Sequence, residues 1–210
     1  MNEIHENNGV PSIFIKYKNH LFILLVAIFL LIIFVFTKTF FENKNNELAA
    51  EIYNEWELQL SNTNVDDDVI SENLFNKLMS EYSNTGYARI ALLKQASIDI
   101  NNENFEKALS RYLVLIDLTD GFKGNKLFNK IARINSARLY YNQQQYDEAL
   151  LLLEKYSTSS TDAIIHELIG DILKKQEKYE LAREQYNQAK DKYTENLSLS
   201  IINMKLSTIE

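Results

Sequence analysis

Tyr146-Asp147-Glu148-Ala149 and Tyr179-Glu180-Leu181-Ala182 stand 33 residues apart, and Phe105-Glu106-Lys107-Ala108 precedes them with the same pattern. Each is an aromatic residue, an acid, one variable residue and an alanine. Four positions beyond each alanine lies a large residue: Tyr112, Leu153 or Tyr186. Residues four apart share one face of a helix, so each copy reads as the opening of an amphipathic helix. A period of 33 fits a pair of helices repeated as a unit, and such units bury their apolar faces only by stacking on one another. The first two copies are 41 residues apart, which predicts a longer loop near residues 117–126.

Working outward, each copy opens the second helix of a pair, helix B. Periodicity places helix A of the three repeats at about residues 87–101, 128–142 and 161–175, and helix B at about 105–117, 146–156 and 179–193. The period and the alanine pattern resemble tetratricopeptide (TPR) repeats. The resemblance implies that small residues mark close helix contacts: Ala137 and Gly170 on helix A, and Ala108, Ala149 and Ala182 on helix B. It also implies that Phe105, Tyr146 and Tyr179 plug the turns between the helices. The pattern is degenerate. Leu92, Arg133 and His166 replace the usual helix-A tryptophan, Glu103, Gln144 and Glu177 replace the turn glycine, and the terminal proline is missing. Residues 196–208, with Leu197, Ile201, Ile202, Met204 and Leu206, read as a helix that caps the stack. Ahead of the repeats, Leu48, Ile52, Trp56 and Leu60 mark a helix over 47–60, followed by a break at 62–68. The Asp66-Asp67-Asp68 run lacks the glycine and distant glutamate of a calcium loop and reads instead as a cap for a helix ending near Tyr82. The expected fold is all-α: a single transmembrane helix, then a TPR-like α-solenoid with a C-terminal capping helix.

Composition supports this. The chain of 210 residues has five glycines and one proline, which favours helices over a turn-rich β fold. It has no cysteine, so disulfides and thiolate metal sites are excluded. Its net charge is −7, and residues 42–210 carry 27 acidic against 19 basic side chains. An acidic domain without a basic stripe argues against nucleic acid as a partner.

The chemistry-bearing residues are sparse. His5 and His20 lie before or beside the apolar segment, and His166 stands alone on a helix. Gly121 and Gly124 are the nearest approach to a phosphate loop and lack its lysine, and no Gly-x-Ser-x-Gly occurs. No catalytic, metal or cofactor residue is assigned, and an enzyme is not expected.

Residues 21–36 are uncharged, and the apolar stretch continues past Lys38 to Phe41. Counted from Leu21 it gives about 31 Å of helix, which matches the hydrocarbon core of a bilayer. The apolar core is too long for a cleaved signal peptide and ends in Phe-Thr-Lys-Thr-Phe-Phe without small residues, so an uncleaved signal anchor is expected. The chain then divides into a cytoplasmic tail at 1–19, a transmembrane anchor at 20–41, a helical lead-in at 42–86, and repeats with their cap at 87–210. Lysines flank the span almost evenly (Lys16 and Lys18 before, Lys38 and Lys44 after), so charge alone leaves orientation open. The short tail favours the N-terminus inside and the domain outside.

A more specific resemblance rests on the order of these parts. Tyr87-Ala88-x-Ile90-Ala91-x-Leu93, the alanine copies, Ala132-Arg133 with Tyr140, Glu167-Leu168-Ile169-Gly170-Asp171-Ile172-Leu173 and Met204-Lys205-Leu206-Ser207 resemble the YfgM family over essentially the whole chain. That family is the ancillary subunit of the SecYEG translocon in Gram-negative bacteria. The resemblance implies an inner-membrane protein with a periplasmic TPR-like domain. It implies partners in the translocon, a PpiD-like membrane-anchored chaperone, other periplasmic chaperones and client proteins. The alternative reading is an envelope or cell-division scaffold assembled through its repeats.

Helix A lines the concave face of a TPR solenoid, where partner segments lie. Counting from the alanines puts Ile131, Ile134, Arg138 and Tyr141 there in the second repeat, and Ile164, Glu167, Asp171 and Lys174 in the third. Of these, Arg138 and Asp171 are the strongest candidates for partner contact, since charges are seldom buried unpaired. The topology is tested by adding protease to spheroplasts. Digestion of 42–210 with survival of a small anchored fragment is the expected outcome, and full protection of the domain would reverse the assignment.

Overall fold

The computed structural model describes residues 12–61, 65–122, 124–157 and 162–209. Residues 1–11, with His5 and Pro11, and residues 62–64, part of the break expected at 62–68, lie outside the described residues.

The described residues form nine helices and no strand. In chain order they are α1 (Ser12–Leu60), α2 (Val65–Glu81), α3 (Gly86–Asn101), α4 (Phe105–Thr119), α5 (Lys126–Asn142), α6 (Tyr146–Ser157), α7 (Ala163–Lys175), α8 (Tyr179–Lys192) and α9 (Asn196–Ser207). Each packs mainly on its neighbours in sequence, with α1 also reaching α3 and α5 reaching α7. α1 and α3, and α5 and α7, therefore lie side by side, as a stacked solenoid requires. The pairs α3/α4, α5/α6 and α7/α8 are the three repeats. The lead-in is itself a helix pair, with the end of α1 in the helix-A place and α2 in the helix-B place.

α1 is one continuous helix of 49 residues, about 73 Å long. Its stretch Asn19–Leu60 is, among the described residues, the one long and apolar enough to cross a membrane. Residues 19–48 are exposed, whereas Ala49, Ile52 and Trp56 are buried in the domain core. Seven residues, 42–48, lie between Phe41 and Ala49, which are about 12 Å apart along the helix. Within the apolar part, Thr37 Oγ1 donates to the carbonyls of Ile33 (2.9 Å) and Phe34 (3.0 Å), and Thr39 Oγ1 donates to that of Val35 (2.9 Å). The hydroxyls of both are thus satisfied by the helix's own backbone.

The repeat contacts follow the alanine pattern. Ala108, Ala149 and Ala182 are fully buried, as are Ala137, Leu153 and Tyr186, and Tyr112 is nearly so. A Cβ on Gly170 would lie 2.6 and 2.7 Å from ring atoms of Tyr186, so α7 and α8 approach too closely for a side chain there. The apolar core runs from α1 to α5 and continues from α5 to α9, and Leu152 packs against both halves.

The three positions expected to carry the turn glycine share one backbone conformation. Glu103, Gln144 and Glu177 have φ of 60, 62 and 60°. Each ends its helix A with the same pair of bonds: Glu103 N to Ile100 O and Asn104 N to Asp99 O, Gln144 N to Tyr141 O and Gln145 N to Tyr140 O, Glu177 N to Lys174 O and Lys178 N to Leu173 O. This is the Schellman motif, in which the left-handed residue is usually glycine. The long loop after α4 closes through Gly124, whose added Cβ would meet the carbonyl oxygen of Thr119 at 2.0 Å.

Some expectations are corrected. Phe105 and Tyr179 are 44% and 40% exposed, so they rest on the turns without plugging them. Tyr146 is half-buried and stacks at a tilt on Tyr141, with centroids 5.9 Å apart. Asp66, Asp67 and Asp68 fall inside the first turn of α2, where the helix dipole favours acids, and not ahead of it. Beyond the end of α2 at Glu81, Thr85 caps α3: its Oγ1 accepts from Ala88 N at 3.3 Å.

Gln144→Gly and Glu177→Gly should each stabilise the domain by ~0.5–1 kcal/mol, because a left-handed residue with a side chain is strained. Ala149→Leu and Gly170→Leu should each destabilise it by roughly 1–3 kcal/mol through overpacking. Exposed Lys192→Ala should change stability by no more than about 0.5 kcal/mol. Denaturant midpoints check all of these, and uniform small shifts would contradict the repeat register.

Candidate protein-binding surface

The eight residues expected on the concave face fall on two facing stripes, one on α5 and one on α7. Arg138 is exposed, and its charge reaches Glu167 of α7 and the hydroxyls of Tyr112 and Tyr193. Burial raises the Tyr141 hydroxyl pKa, and the neighbouring Asp171 carboxylate adds to the shift. Ile131 is half-buried, Ile134 packs against the core and Ile164 is 41% exposed. The structure thus brings Arg138, Tyr141, Glu167 and Asp171 together.

Glu167, Asp171 and Lys174 are already engaged by α9 and its flanks. Lys205 Nζ donates to Glu167 Oε1 at 2.7 Å and to Asp171 Oδ1 and Oδ2 at 2.7 and 2.6 Å. Tyr186 OH donates to Asp171 Oδ1 at 2.7 Å, and Tyr193 OH donates to Glu167 Oε2 at 2.6 Å. Lys174 Nζ donates to Thr208 Oγ1 at 2.7 Å. An open cleft of about 570 Å³ borders this cluster, lined among others by Tyr141, Asp171, Lys174, Met204 and Lys205.

The cluster is held as charges. Burial alone would raise the Glu167 pKa, but the Lys205 ammonium and the Tyr193 hydroxyl outweigh it and lower it. Burial would lower the Lys205 pKa, but the two carboxylates raise it. Burial, and then the carboxylates they donate to, push the Tyr186 and Tyr193 hydroxyls far above the usual tyrosine range. Both hydroxyls therefore remain donors. Two carboxylates share one ammonium, and Arg138 across the stripe offsets part of the excess.

Two features lay beyond the sequence reading. Lys205 is the one charge in α9, and only the fold shows that it meets the acids at Glu167 and Asp171, four apart on α7. Asn129, buried in α5, ties three helices: its Nδ2 donates to Ile116 O (3.1 Å) and Thr119 Oγ1 (3.3 Å), and its Oδ1 accepts from Arg133 Nε and Tyr156 OH, each at 3.0 Å. Arg133 also donates to Leu152 O at 3.3 Å. His166, in the corresponding place of the third repeat, is buried with Nδ1 2.8 Å from Gln185 Oε1. Both stand where a tryptophan was expected and join helix A to helix B by hydrogen bonds. Among the described residues, no three His, Asp or Glu side chains gather as a metal site.

Asp171→Lys should loosen α9 by roughly 3 kcal/mol, since Lys205 would lose a partner and face a like charge in a half-buried site. Exposed Arg138→Glu should cost far less, about 0.5 kcal/mol. The lowered Glu167 pKa stabilises the folded state above the ordinary glutamate range, and this contribution is lost as pH falls through the folded value. Hydrogen exchange of α9 amides should therefore accelerate on acidification, and less so in Glu167→Gln. Equal acceleration in both chains would remove Glu167 from the pH response.

One family model matches the chain: the tetratricopeptide repeat-like domain, over residues 13–210. No curated protein matches it. The match begins within α1 and runs through α9, so it takes in the apolar segment and the lead-in pair together with the repeats. With three Schellman turns, buried repeat alanines and stacked helix pairs beneath it, the chain belongs to the tetratricopeptide repeat-like domain family.

Proposed function

We propose that this protein is a non-catalytic, membrane-anchored adaptor at the protein-export translocon, binding protein segments as they emerge and passing them to periplasmic chaperones. The domain type supports protein binding, since helical repeats of this family generally serve as interaction modules. The observation that carries the reading is the continuity of α1. The helix that is long and apolar enough to span a bilayer runs without a break into the buried core, so the repeats stand a fixed short distance from the membrane. An adaptor that captures chains at a membrane exit needs that restraint. The order of parts that resembles the YfgM family supports the specific site, SecYEG, and a PpiD-like chaperone as neighbour. On this reading the anchor lies in a bacterial inner membrane, with the N-terminus cytoplasmic and the domain periplasmic.

Within the domain, the α5 stripe is the more open part of the expected surface. Arg138 is exposed and Ile131 and Tyr141 are half-buried, whereas Glu167 and Asp171 are tied to α9 and Lys174 to Thr208 just beyond it. Ile164 adds an exposed apolar side chain on α7. The test uses the absence of cysteine: single cysteines at Ile131, Arg138 and Ile164 carry a photo-crosslinker in intact membranes. Adducts with translocon subunits and a PpiD-like chaperone are expected. Adducts confined to cell-division or envelope-assembly proteins would favour the scaffold reading, and a crosslinker on Lys192 serves as the exposed control on α8.

A further inference from the structure

The loop that leads from α4 to α5 lies at the edge of the domain from which α1 enters. α1 and α3 run in the same direction: Tyr53 packs on Tyr87 with ring centroids 5.6 Å apart, and farther along both helices Lys94 Nζ donates to Glu57 Oε1 at 2.5 Å. The tight turn at 102–104 sends α4 back. With 15 residues against 16 in α3, α4 returns to about the level at which α3 began. The loop, residues 120–125, is therefore on the side of the apolar segment. Tyr53 lies 12 positions beyond Phe41, so this edge stands about 18 Å from the end of the apolar run. A membrane helix tilts by about 20°, and that tilt across two helix diameters of ~10 Å each lowers the loop by roughly a further 7 Å.

The loop holds an apolar side chain out in the open. Phe122 is fully exposed at its tip, and Leu127 and Lys126, in the first turn of α5, are exposed beside it. Both ends of the loop are braced. Gly124 N donates to Gly121 O at 3.2 Å, and Asn125 Oδ1 accepts from Leu127 N at 3.0 Å and Phe128 N at 3.2 Å. Asp120 is neutralised by Lys155 and Arg133, and Asp162, where α7 begins, by Lys130. The opposite edge differs in kind. Its turns at 102–104, 143–145 and 176–178 hold Asn, Gln, Glu and Lys, and the aromatics Phe105 and Tyr179 rest back on them.

We propose, resting on the membrane-anchored reading, that this loop is a second contact with the bilayer: Phe122 enters the boundary between headgroups and acyl chains, with Leu127 beside it and Lys126 toward the lipid phosphates. One phenylalanine is too little to hold a free protein at a membrane. Here α1 already keeps the loop close, so a weak insertion is made at high effective concentration. The contact has a consequence for recognition. A single helix leaves the domain free to roll about the α1 axis, and a second point of attachment removes that freedom. α5 begins at this loop, so its stripe from Ile131 to Tyr141 would be held at a fixed angle to the bilayer.

The test uses the full-length chain, which has no cysteine, with a single cysteine at Phe122 or at exposed Gln143 on the opposite edge. Each carries an environment-sensitive fluorophore, and the chain is reconstituted into phosphatidylcholine–phosphatidylglycerol vesicles. Either orientation in the vesicle serves, because the loop faces the leaflet next to its own domain. Lipids bearing a nitroxide near the headgroup end of the acyl chain should quench most of the Phe122 label, shifted to the blue, and leave the Gln143 label bright. A label at Leu127 should be quenched as well, and Phe122→Asp in the same chain should restore its fluorescence with an unchanged thermal melt, since Phe122 makes no part of the core. Equal quenching at Phe122 and Gln143, or a Leu127 signal indifferent to Phe122→Asp, would overturn the proposal. An unquenched Phe122 label that crosslinks to a protein in intact membranes would assign the loop to a protein partner and also overturn it. Flotation of the vesicles separates the two levels: a chain that floats without quenching keeps its anchor and loses only the second contact, whereas a chain that does not float loses both.

Discussion

A helix pair of this kind cannot bury both of its faces, and the whole chain is arranged around covering the next one. Ala149 and Ala182 let helix B sit tightly on helix A, and Gly170 lets the Tyr186 ring fill the gap between them. That contact leaves each pair with an open side, which the following pair must close. At the start of the stack the closing element is the end of α1 with α2. At the end it is α9. A small residue replaced by a large one would therefore be felt beyond its own pair, because the next helix A rests on the same surface.

The lead-in gives this arrangement its relation to the apolar segment. Trp56, Ile52 and Ala49 belong both to the solenoid core and to the helix that carries the apolar segment. A flexible linker would have let the repeats sample a wide volume. A continuous helix keeps them near one place and one orientation relative to the apolar segment. On the proposed membrane-anchored reading, this restraint raises the effective concentration of anything else held at the same membrane site.

The C-terminal end shows how a stack is finished without a polar cap alone. α9 is fixed by Ile202 and by one lysine shared between two carboxylates, each of which also accepts from a tyrosine hydroxyl. Half-buried charges of this kind add little net stability over apolar packing, but they define position, because removing any one member leaves another without its partner. They also take Glu167, Asp171 and Lys174 out of the proposed partner surface, which leaves the α5 stripe with exposed Arg138 and half-buried Tyr141.

Much of the fold was legible in the sequence because it depends on local rules. The spacing of Ala108, Ala149 and Ala182, the turn positions Glu103, Gln144 and Glu177, and the apolar run after Leu21 each depend on helix periodicity or backbone conformation, which neighbours in sequence determine. The stripes on α5 and α7 were also readable, since counting along a helix says which residues share a face. It does not say what lies opposite. Whether Asp171 is free or bonded to Lys205, whether Asn129 is a surface residue or the tie between α4, α5 and α6, and whether Leu197 and Met204 turn inward or outward were decided only by tertiary packing. Those pairings join residues from 10 to 38 positions apart, and they arise from the angle at which one repeat leans on the next. That angle is a sum of many side-chain contacts between helices, and no single stretch of sequence contains it.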